Sequence, residues 1–238
     1  MYFATNRPTD QQTNRPIVQQ SNRPKPHPLL PNFLAIEGNI GAGKTTFAEL
    51  LSADHNRRLL LEQFSDNPFL PPFYRDPERY AFPVELFFMA ERHKQLQAEL
   101  AQTDLFTNGL VADYIFVKTL LFARNSLTEE EFRLFSRLFK VMDAGFPNPE
   151  LIVYLHRPVA ALQANIAKRG REYEAEMKDE YLASLQSAYF NYFGTQKELP
   201  VLVLELGEIN FVEDRAAYAR MVKLLEGEYP VGVTTVVV

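Results

Sequence analysis

The chain has 238 residues, of which 46% are hydrophobic and 23% are charged, a balance typical of one globular domain with a substantial core. The net charge of −5 argues against nucleic acid and anionic membranes as partners, because phosphate surfaces select basic proteins. The absence of cysteine excludes disulfides, thiol catalysis and cysteine-ligated metals. No apolar run reaches the roughly 18 residues of a membrane span, and no apolar signal core stands at the N-terminus, so we expect a cytoplasmic protein.

Residues 1–31 differ in composition from the rest of the chain. They are rich in proline, glutamine and asparagine, and they repeat a Thr/Ser-Asn-Arg-Pro motif at 5–8, 13–16 and 21–24. Such a segment buries too little apolar surface to offset its ordering entropy, so we predict a disordered tail and one folded domain over 32–238. The repeats are either low-complexity drift or a binding motif.

The folded part opens with an apolar strand at 33–36, a glycine-rich loop, and a helical pattern over 46–51. The loop fills every position of the pattern G-x-x-x-x-G-K-[ST], in the strand–loop–helix context that the motif requires. Its backbone N–H groups and the start of the helix would bind phosphates, Lys44 would neutralise the outer phosphates, and the Thr45 hydroxyl would bind Mg²⁺. The alternative is a chance glycine-rich turn. We predict a nucleoside triphosphate site formed by Gly38, Asn39, Ile40, Gly41, Ala42, Gly43, Lys44, Thr45 and Thr46.

Short apolar strands alternate with helical patterns through the rest of the chain. We predict further strands at 59–61, 110–111, 151–155 and 201–204, and helices at 83–101, 114–123, 128–142, 158–170, 180–193 and 212–225. The helix at 128–142 begins with a capping box, Thr128 to Glu131. The pattern predicts an α/β fold, a five-stranded parallel sheet with helices on both faces. The β-prone segment 231–238 is either an added edge strand or a frayed end.

Acidic and basic residues follow two of these elements. Glu62 ends the second strand, at the sheet edge where α/β proteins bind ligands, and can accept the proton of a hydroxyl that attacks the γ-phosphoryl group. Arg169 and Arg171 end the helix at 158–170 and suit a lid that neutralises a transferring phosphoryl group. The alternatives are a solvated strand-end charge and a basic helix end favoured by the helix dipole. A GTPase would carry an Asn-Lys-x-Asp loop, and transporter or helicase ATPases an apolar strand ending in Asp-Glu; neither occurs.

Taken together in chain order, the motifs of this sequence resemble those of the deoxynucleoside kinase family, in particular its bacterial members. The matching segments span about 33–215 and are 38–46, Glu62, 66–70, 73–77, 83–97, and Arg169-Gly170-Arg171 with Glu174. The resemblance implies a P-loop kinase fold with an arginine lid. It also implies ATP as phosphoryl donor, Mg²⁺, and transfer of the γ-phosphoryl group to the 5′-hydroxyl of a 2′-deoxynucleoside.

The resemblance also implies roles for individual residues. Glu62 would be the general base, Tyr74 and Glu174 would hold the sugar 3′-hydroxyl, and Phe122 would stack on the base. Arg169 and Arg171 would belong to the lid. A homodimer would form through long helices, here those at 84–101 and 130–142.

Family members carry an acidic-Arg-Ser triplet after the third strand, with an Asp five residues beyond the Arg in several of them. Here the aligned residues are Ala112-Asp113-Tyr114, and Lys118 stands at the later position. The family's Arg and later Asp would thus be replaced by Asp113 and Lys118, with the same spacing and the charges exchanged. We hypothesise that Asp113 is a carboxylate on the Mg²⁺ or substrate side, with Lys118 as its partner. The alternative is an ordinary Asp that caps the next helix.

The base-reading position differs as well, because Glu85 replaces a Gln of the family and Arg92 lies two turns along the same face. An ionised Glu only accepts hydrogen bonds, so Glu85 should prefer a base edge with an amino group and disfavour thymine. This predicts deoxyadenosine or deoxycytidine over thymidine. A protonated Glu85, or one held by Arg92 or Lys118, would void the argument.

Two other functions are consistent with these motifs. A nucleoside-monophosphate kinase shares the loop, the sheet and the lid, but would need basic groups for the acceptor phosphate where Glu62 lies. A nucleotide-binding regulator without catalysis would explain the missing triplet, although Glu62 and the lid arginines argue against it.

Overall fold

A six-stranded parallel sheet forms the centre of the computed structural model, which describes residues 30–63, 67–100 and 106–238. The predicted tail up to residue 29, and Asp66 of the family-like segment, lie outside the described residues. The strands are β1 (Phe33–Gly38), β2 (Arg58–Leu60), β3 (Leu110–Ala112), β4 (Leu151–His156), β5 (Pro200–Glu205) and β6 (Gly232–Val237). Their order is β2-β3-β1-β4-β5-β6, and every neighbouring pair is parallel.

Helices cover both faces of this sheet. They are α1 (Lys44–His55), α2 (Leu70–Arg75), α3 (Pro77–Leu100), α4 (Lys118–Ser126), α5 (Glu129–Asp143), α6 (Val159–Arg169), α7 (Asp179–Thr195) and α8 (Arg215–Leu225), with a short 3-10 helix at Glu172–Glu174. No helix in the described ranges has the length and apolarity needed to cross a lipid bilayer.

The predicted count of five strands is wrong, because the C-terminal segment forms β6. This strand pairs with β5 from Pro200 and Gly232 to Glu205 and Val237. Its residues are alternately exposed and half-buried, as expected where one strand lies at the edge of a sheet and one of its faces contacts a helix. The edge-strand alternative is therefore correct.

Two predicted helix starts need correction, and one short helix was not predicted. The structure begins α3 at Pro77 and keeps Pro83 inside the helix, although the sequence favoured Pro83 as its first residue. Pro83 lies beyond the first turn, so its missing N–H removes the bond to the Arg79 carbonyl oxygen, and the packing of the buried Ala81, Val84 and Met89 offsets this loss. The structure also adds the short α2, and it begins α4 at Lys118 rather than Tyr114. The capping box of α5 is confirmed, with Thr128 and Glu131 bonded reciprocally.

Alternate residues of the buried strands feed two separate apolar clusters. Leu34, Val153 and Leu202 pack on the face covered by α1, α6 and α8, whereas Ile152 and Val203 pack on the face covered by α4 and α7. Both faces of the sheet are therefore apolar, which explains why the sequences of its strands are continuous apolar runs. The carboxyl ends of β1, β2 and β3 meet at one edge, and the segments that follow them build the site.

Candidate active site

The glycine-rich loop after β1 is held in a fixed conformation. Gly41 has a φ of 81°, and a Cβ there would lie 2.7 Å from the Leu162 carbonyl oxygen, so the position requires glycine. Asn39 is buried; it accepts a hydrogen bond from the Ile40 N–H and donates to the Leu182 carbonyl oxygen at 2.7 Å. Asn165 of α6 also donates to the Gly41 carbonyl oxygen at 2.8 Å, so the loop is anchored to both α6 and α7.

Lys44 lies across this loop. Its Nζ atom donates to the carbonyl oxygens of Gly38 and Asn39, both at 2.9 Å. Burial, and then the nearby Lys118 ammonium, lower the pKa of Lys44 to about 8. Neutral backbone carbonyls compensate a buried ammonium poorly, so an anion bound in the loop would be a better partner.

Asp113 connects the loop to the end of β2. Its Oδ2 atom accepts from the Thr45 hydroxyl at 2.7 Å, and its Oδ1 atom accepts from the Glu62 N–H at 2.7 Å. The predicted pairing of Asp113 with Lys118 is wrong, because Lys118 is bonded to Glu62. The helix-cap alternative is also wrong, since α4 begins five residues later after Val117 and has no side-chain cap. Asp113 therefore presents a carboxylate beside the hydroxyl predicted to bind Mg²⁺.

Glu62 lies between two cations rather than in solvent. Its Oε1 atom accepts from Nε of Arg92 at 2.8 Å and also from Nη2, and its Oε2 atom accepts from Nζ of Lys118 at 2.6 Å. Burial alone would raise the pKa of Glu62, but Arg92 and Lys118 outweigh it and hold this pKa well below its usual range. The side chain is 13% exposed, so the solvated-charge alternative is wrong. Glu62 is an ionised carboxylate at the carboxyl end of the sheet.

One cavity at this edge brings together the predicted catalytic and substrate residues. It lies between the loop, α2, α3, α4 and the segment after α6. Its lining includes Lys44, Thr45, Glu62, Tyr74, Glu85, Arg92, Asp113, Phe122, Arg169, Arg171 and Glu174.

Glu85 is buried in this cavity, 3% exposed. Within the described ranges no cation forms an ion pair with it, and its Oε2 atom has no hydrogen-bond partner. Burial raises the pKa of Glu85 to about 8, against the lowering influence of Arg92. The assumption of an ionised Glu85 at neutral pH is therefore wrong, and the predicted discrimination against thymine loses its physical reason. Arg92, two turns along, directs its donors to Glu62 and Thr119.

The lid arginines converge on one carboxylate. Arg169 donates through Nε to Glu174 at 3.1 Å and also through Nη2, and Arg171 donates through Nη1 at 3.3 Å. Glu174 is buried whereas both arginines are about one-third exposed (34% and 31%), so the arginines are not merely a solvated helix end. Tyr173, in the same segment, stacks on Tyr74 with ring centroids 5.9 Å apart.

A second groove opens on the other side of the loop. It is lined by Gly43, Lys44, Thr45 and Thr46, by residues of α6, and by the segment 208–212. Arg157, which directly follows β4, donates to the carbonyl oxygens of Ala42, Gly207 and Ile209. Of the predicted loop residues, Gly38, Asn39 and Ala42 line neither opening.

Comparison with known proteins identifies this arrangement. The family model described as "Deoxynucleoside kinase" matches residues 34–227. The chain belongs to the deoxynucleoside kinase family. It is therefore a phosphotransferase, with the P-loop kinase fold that the sequence predicted.

Relatives of this kinase include two curated enzymes of Bacillus subtilis (strain 168). A deoxyguanosine kinase is 31% identical over 193 residues, covering 79% of this chain and 93% of the relative. A deoxyadenosine/deoxycytidine kinase is 28% identical over 201 residues, covering 80% and 90%. A solved deoxyadenosine kinase from M. mycoides with bound dCTP has the same fold, with a TM-score of 0.68 at 20% identity, covering 80% of this chain and 98% of that one.

Two buried charged residues near the site of this kinase escaped the sequence reasoning. Glu37 is fully buried at the end of β1, where it accepts from the Ile115 N–H and the Tyr189 hydroxyl, both at 2.8 Å. Glu37 could have been identified from the sequence, because an acidic residue inside an apolar strand is unusual. Arg157 is also mostly buried, and its position directly after a strand is the same kind of signal that identified Glu62.

Glu85→Gln is expected to raise thermal stability at pH 8 and to leave it unchanged near pH 4.5. The folded protein holds the Glu85 proton until the pH passes about 8, whereas the unfolded chain releases it near 4.5. A carboxyl group whose pKa is raised by folding stabilises the folded protein fully at pH values below its pKa in the unfolded chain. This stabilisation is lost as the pH rises through its pKa in the folded protein. Gln does not titrate, so the melting temperature of the variant should exceed that of wild type by at least about 3 °C at pH 8.

The measurement is a series of thermal unfolding curves between pH 4.5 and 8. Glu91→Gln serves as the control, because Glu91 lies on the same helix with its side chain 30% exposed. A constant difference between Glu85→Gln and wild type across this range would contradict a neutral Glu85.

Proposed function

We propose that the protein transfers the γ-phosphoryl group of ATP to the 5′-hydroxyl of a 2′-deoxynucleoside. The observation that supports this most is the position of Glu62. Through Asp113 it is joined to Thr45 of the phosphate-binding loop, and it lines the cavity that extends to Glu85 and Phe122. A carboxylate between a triphosphate site and a partly apolar pocket suits an acceptor that brings a hydroxyl and a planar base.

In this reaction Glu62 acts as the general base. The proton of the 5′-hydroxyl moves to Glu62, the oxygen forms a bond to the γ-phosphorus, and the bond to the leaving phosphate oxygen breaks with its electron pair on ADP. Lys44, Arg169 and Arg171 neutralise charge on the transferring group. The lid arginines keep Glu174 as their partner until a phosphate competes for them.

Thr45 and Asp113 fit Mg²⁺. They offer a hydroxyl and a carboxylate oxygen that are already within 2.7 Å of one another, and Mg²⁺ prefers oxygen ligands. Held there, the ion would supply positive charge that neutralises the phosphates of the donor. Within the described residues there is no cluster of three or more acidic or histidine side chains suited to a metal.

The acceptor would lie in the cavity with Phe122 against its base and with Tyr74 and Glu174 at its 3′-hydroxyl. A neutral Glu85 donates one hydrogen bond and accepts another, as Gln does, so below pH 8 it is compatible with every base. We propose a purine deoxynucleoside or deoxycytidine as acceptor, because the relatives are named for guanine, adenine and cytosine substrates.

A coupled ADP-release screen over all deoxynucleosides, ribonucleosides and their monophosphates tests this function. We expect ADP release with deoxynucleosides. When the four deoxynucleosides compete at equal concentration, we expect thymidine to be the weakest acceptor. Release with monophosphates alone would indicate a nucleoside-monophosphate kinase. ATP binding without acceptor-dependent release would indicate a regulator. The cytoplasmic location stays a prediction.

We propose a homodimer through the exposed face of α5. Leu134, Leu138 and Val141 are 50%, 39% and 80% exposed, and their spacing of four and three places them on one face, separate from the face of the buried Phe135 and Phe139. An apolar face of this kind is typical of a protein interface.

Leu138→Glu is expected to convert the protein to a monomer of 27.4 kDa, because a charge at an apolar interface loses its hydration. Light scattering after size-exclusion chromatography measures the mass. Val233→Glu, on the exposed side of β6, is the control and should remain a dimer. Unchanged mass in Leu138→Glu would exclude this face as the interface.

A further inference from the structure

Five cations line the cavity, and they differ in how they are held. Lys44 is bonded to two loop carbonyls, and the lid arginines share Glu174. Arg92 is fixed by three contacts, because it also donates through Nη1 to the Thr119 hydroxyl at 2.8 Å. Lys118 makes one hydrogen bond within the described residues, to Glu62 Oε2, and its Nζ atom lies 5.4 Å from the Phe122 ring centroid.

The two oxygen atoms of Glu62 are unequally occupied. Oε1 accepts two N–H groups from Arg92, which uses both of its lone pairs. Among the residues that the structure describes, Oε2 accepts one hydrogen bond, from Lys118, which leaves it one lone pair. A hydroxyl that gives its proton to Glu62 must therefore bind Oε2. Its oxygen and the Lys118 ammonium would then be neighbours on the same atom, within about 5 Å.

Glu62 has a second cationic partner besides Lys118. Arg92 donates two charge-assisted hydrogen bonds, through Nε and Nη2, to the same Oε1 atom. The Lys118 side chain is 5% exposed, so its ammonium is held beside Oε2 at a considerable desolvation cost. Its four-carbon stem and single hydrogen bond make it the cation of the cavity that can change partner with least rearrangement.

We propose that Lys118 is a catalytic residue, which donates to the attacking 5′-oxygen and to the phosphoryl group as the proton passes to Glu62 Oε2. This inference rests on the proposed kinase reaction. As Glu62 becomes neutral, Lys118 loses its anionic partner while negative charge develops on the transferring group beside it. The ammonium keeps its own protons throughout, and the bonds formed and broken are those of the phosphoryl transfer.

Steady-state kinetics of Lys118→Met and Lys118→Arg test the proposal. Loss of a cation that acts in the transition state should lower kcat of Lys118→Met by about 100-fold, with the KM values for deoxynucleoside and ATP within about threefold of wild type. Lys118→Arg, which restores the charge, should recover at least about tenfold of this loss. Arg124→Met, at a 57% exposed position of the same helix, is the control and should be unchanged.

Three results would overturn the proposal. They are a kcat of Lys118→Met within threefold of wild type, a defect confined to KM, and a Lys118→Arg variant no better than Lys118→Met. Lys118→Ala with added methylammonium gives a second measurement where Lys118→Met does not fold: kcat should rise with the amine, and a flat response rejects the proposal. A wild-type protein without acceptor-dependent ADP release would remove the proposed function and this inference together, whereas an active wild type with unaffected variants removes only the inference.

Discussion

Glu62→Gln is expected to lower kcat by about 1,000-fold, because general-base catalysis of this kind contributes about 10²- to 10⁴-fold. Glutamine has nearly the same shape but does not take up a proton at neutral pH. The native carboxylate is ionised and bonded to Arg92 and Lys118, so it is ready to accept the acceptor's proton. The measurement is kcat for the best deoxynucleoside of the screen, at saturating ATP.

The substitution also leaves two buried cations without their anion, which costs stability. Thermal unfolding and ATP binding must therefore be measured alongside, and the assay run well below the melting temperature. Glu99→Gln is a matched control, since Glu99 pairs with Arg58 at 3.3 Å and does not line the cavity. Wild-type turnover in Glu62→Gln, or in Glu62→Ala, would contradict the proposed mechanism.

Asp113→Asn is expected to lower kcat by about 100-fold and to raise the Mg²⁺ concentration needed for half-maximal activity by at least about tenfold. The carboxylate accepts from both the Thr45 hydroxyl and the Glu62 N–H, each at 2.7 Å. An amide has a single acceptor oxygen, so it satisfies only one of these donors and carries no charge for the cation. The test is a titration of activity against Mg²⁺ at fixed ATP.

Asp54→Asn, at a 41% exposed position on α1, is the control for removing one acidic charge. It should leave the Mg²⁺ titration unchanged. If Asp113→Asn kept both its turnover and its Mg²⁺ dependence, the carboxylate would have no part in cation binding and would only support the Thr45 and Glu62 geometry.

The fold was predictable where local signals and burial agree. The loop after β1 and the capping box of α5 are local motifs, and the strands are apolar runs, so all of them follow from short segments. The start of α3 was missed because Pro83 has a local preference for a helix start, whereas packing extends the helix back to Pro77. Similarly, β6 became definite only through its pairing with β5.

The residues of the site were predictable, but their partners were not. No local pattern pairs Glu62 with Arg92, 30 residues away, or with Lys118, 56 residues away, because α3 and α4 converge on the end of β2 only in the folded protein. The protonation of Glu85 has the same origin, since it depends on burial by several elements. Residue type and spacing identify the chemistry, and tertiary contacts decide the charge states.

Arg157 joins two parts of the second groove. One guanidinium links the 207–209 turn to Ala42 of the loop after β1, through three carbonyl oxygens. Glu208 and Ile209 line this groove together with Lys44 and Thr45. A substitution of Arg157 is therefore expected to disturb both parts of the groove together.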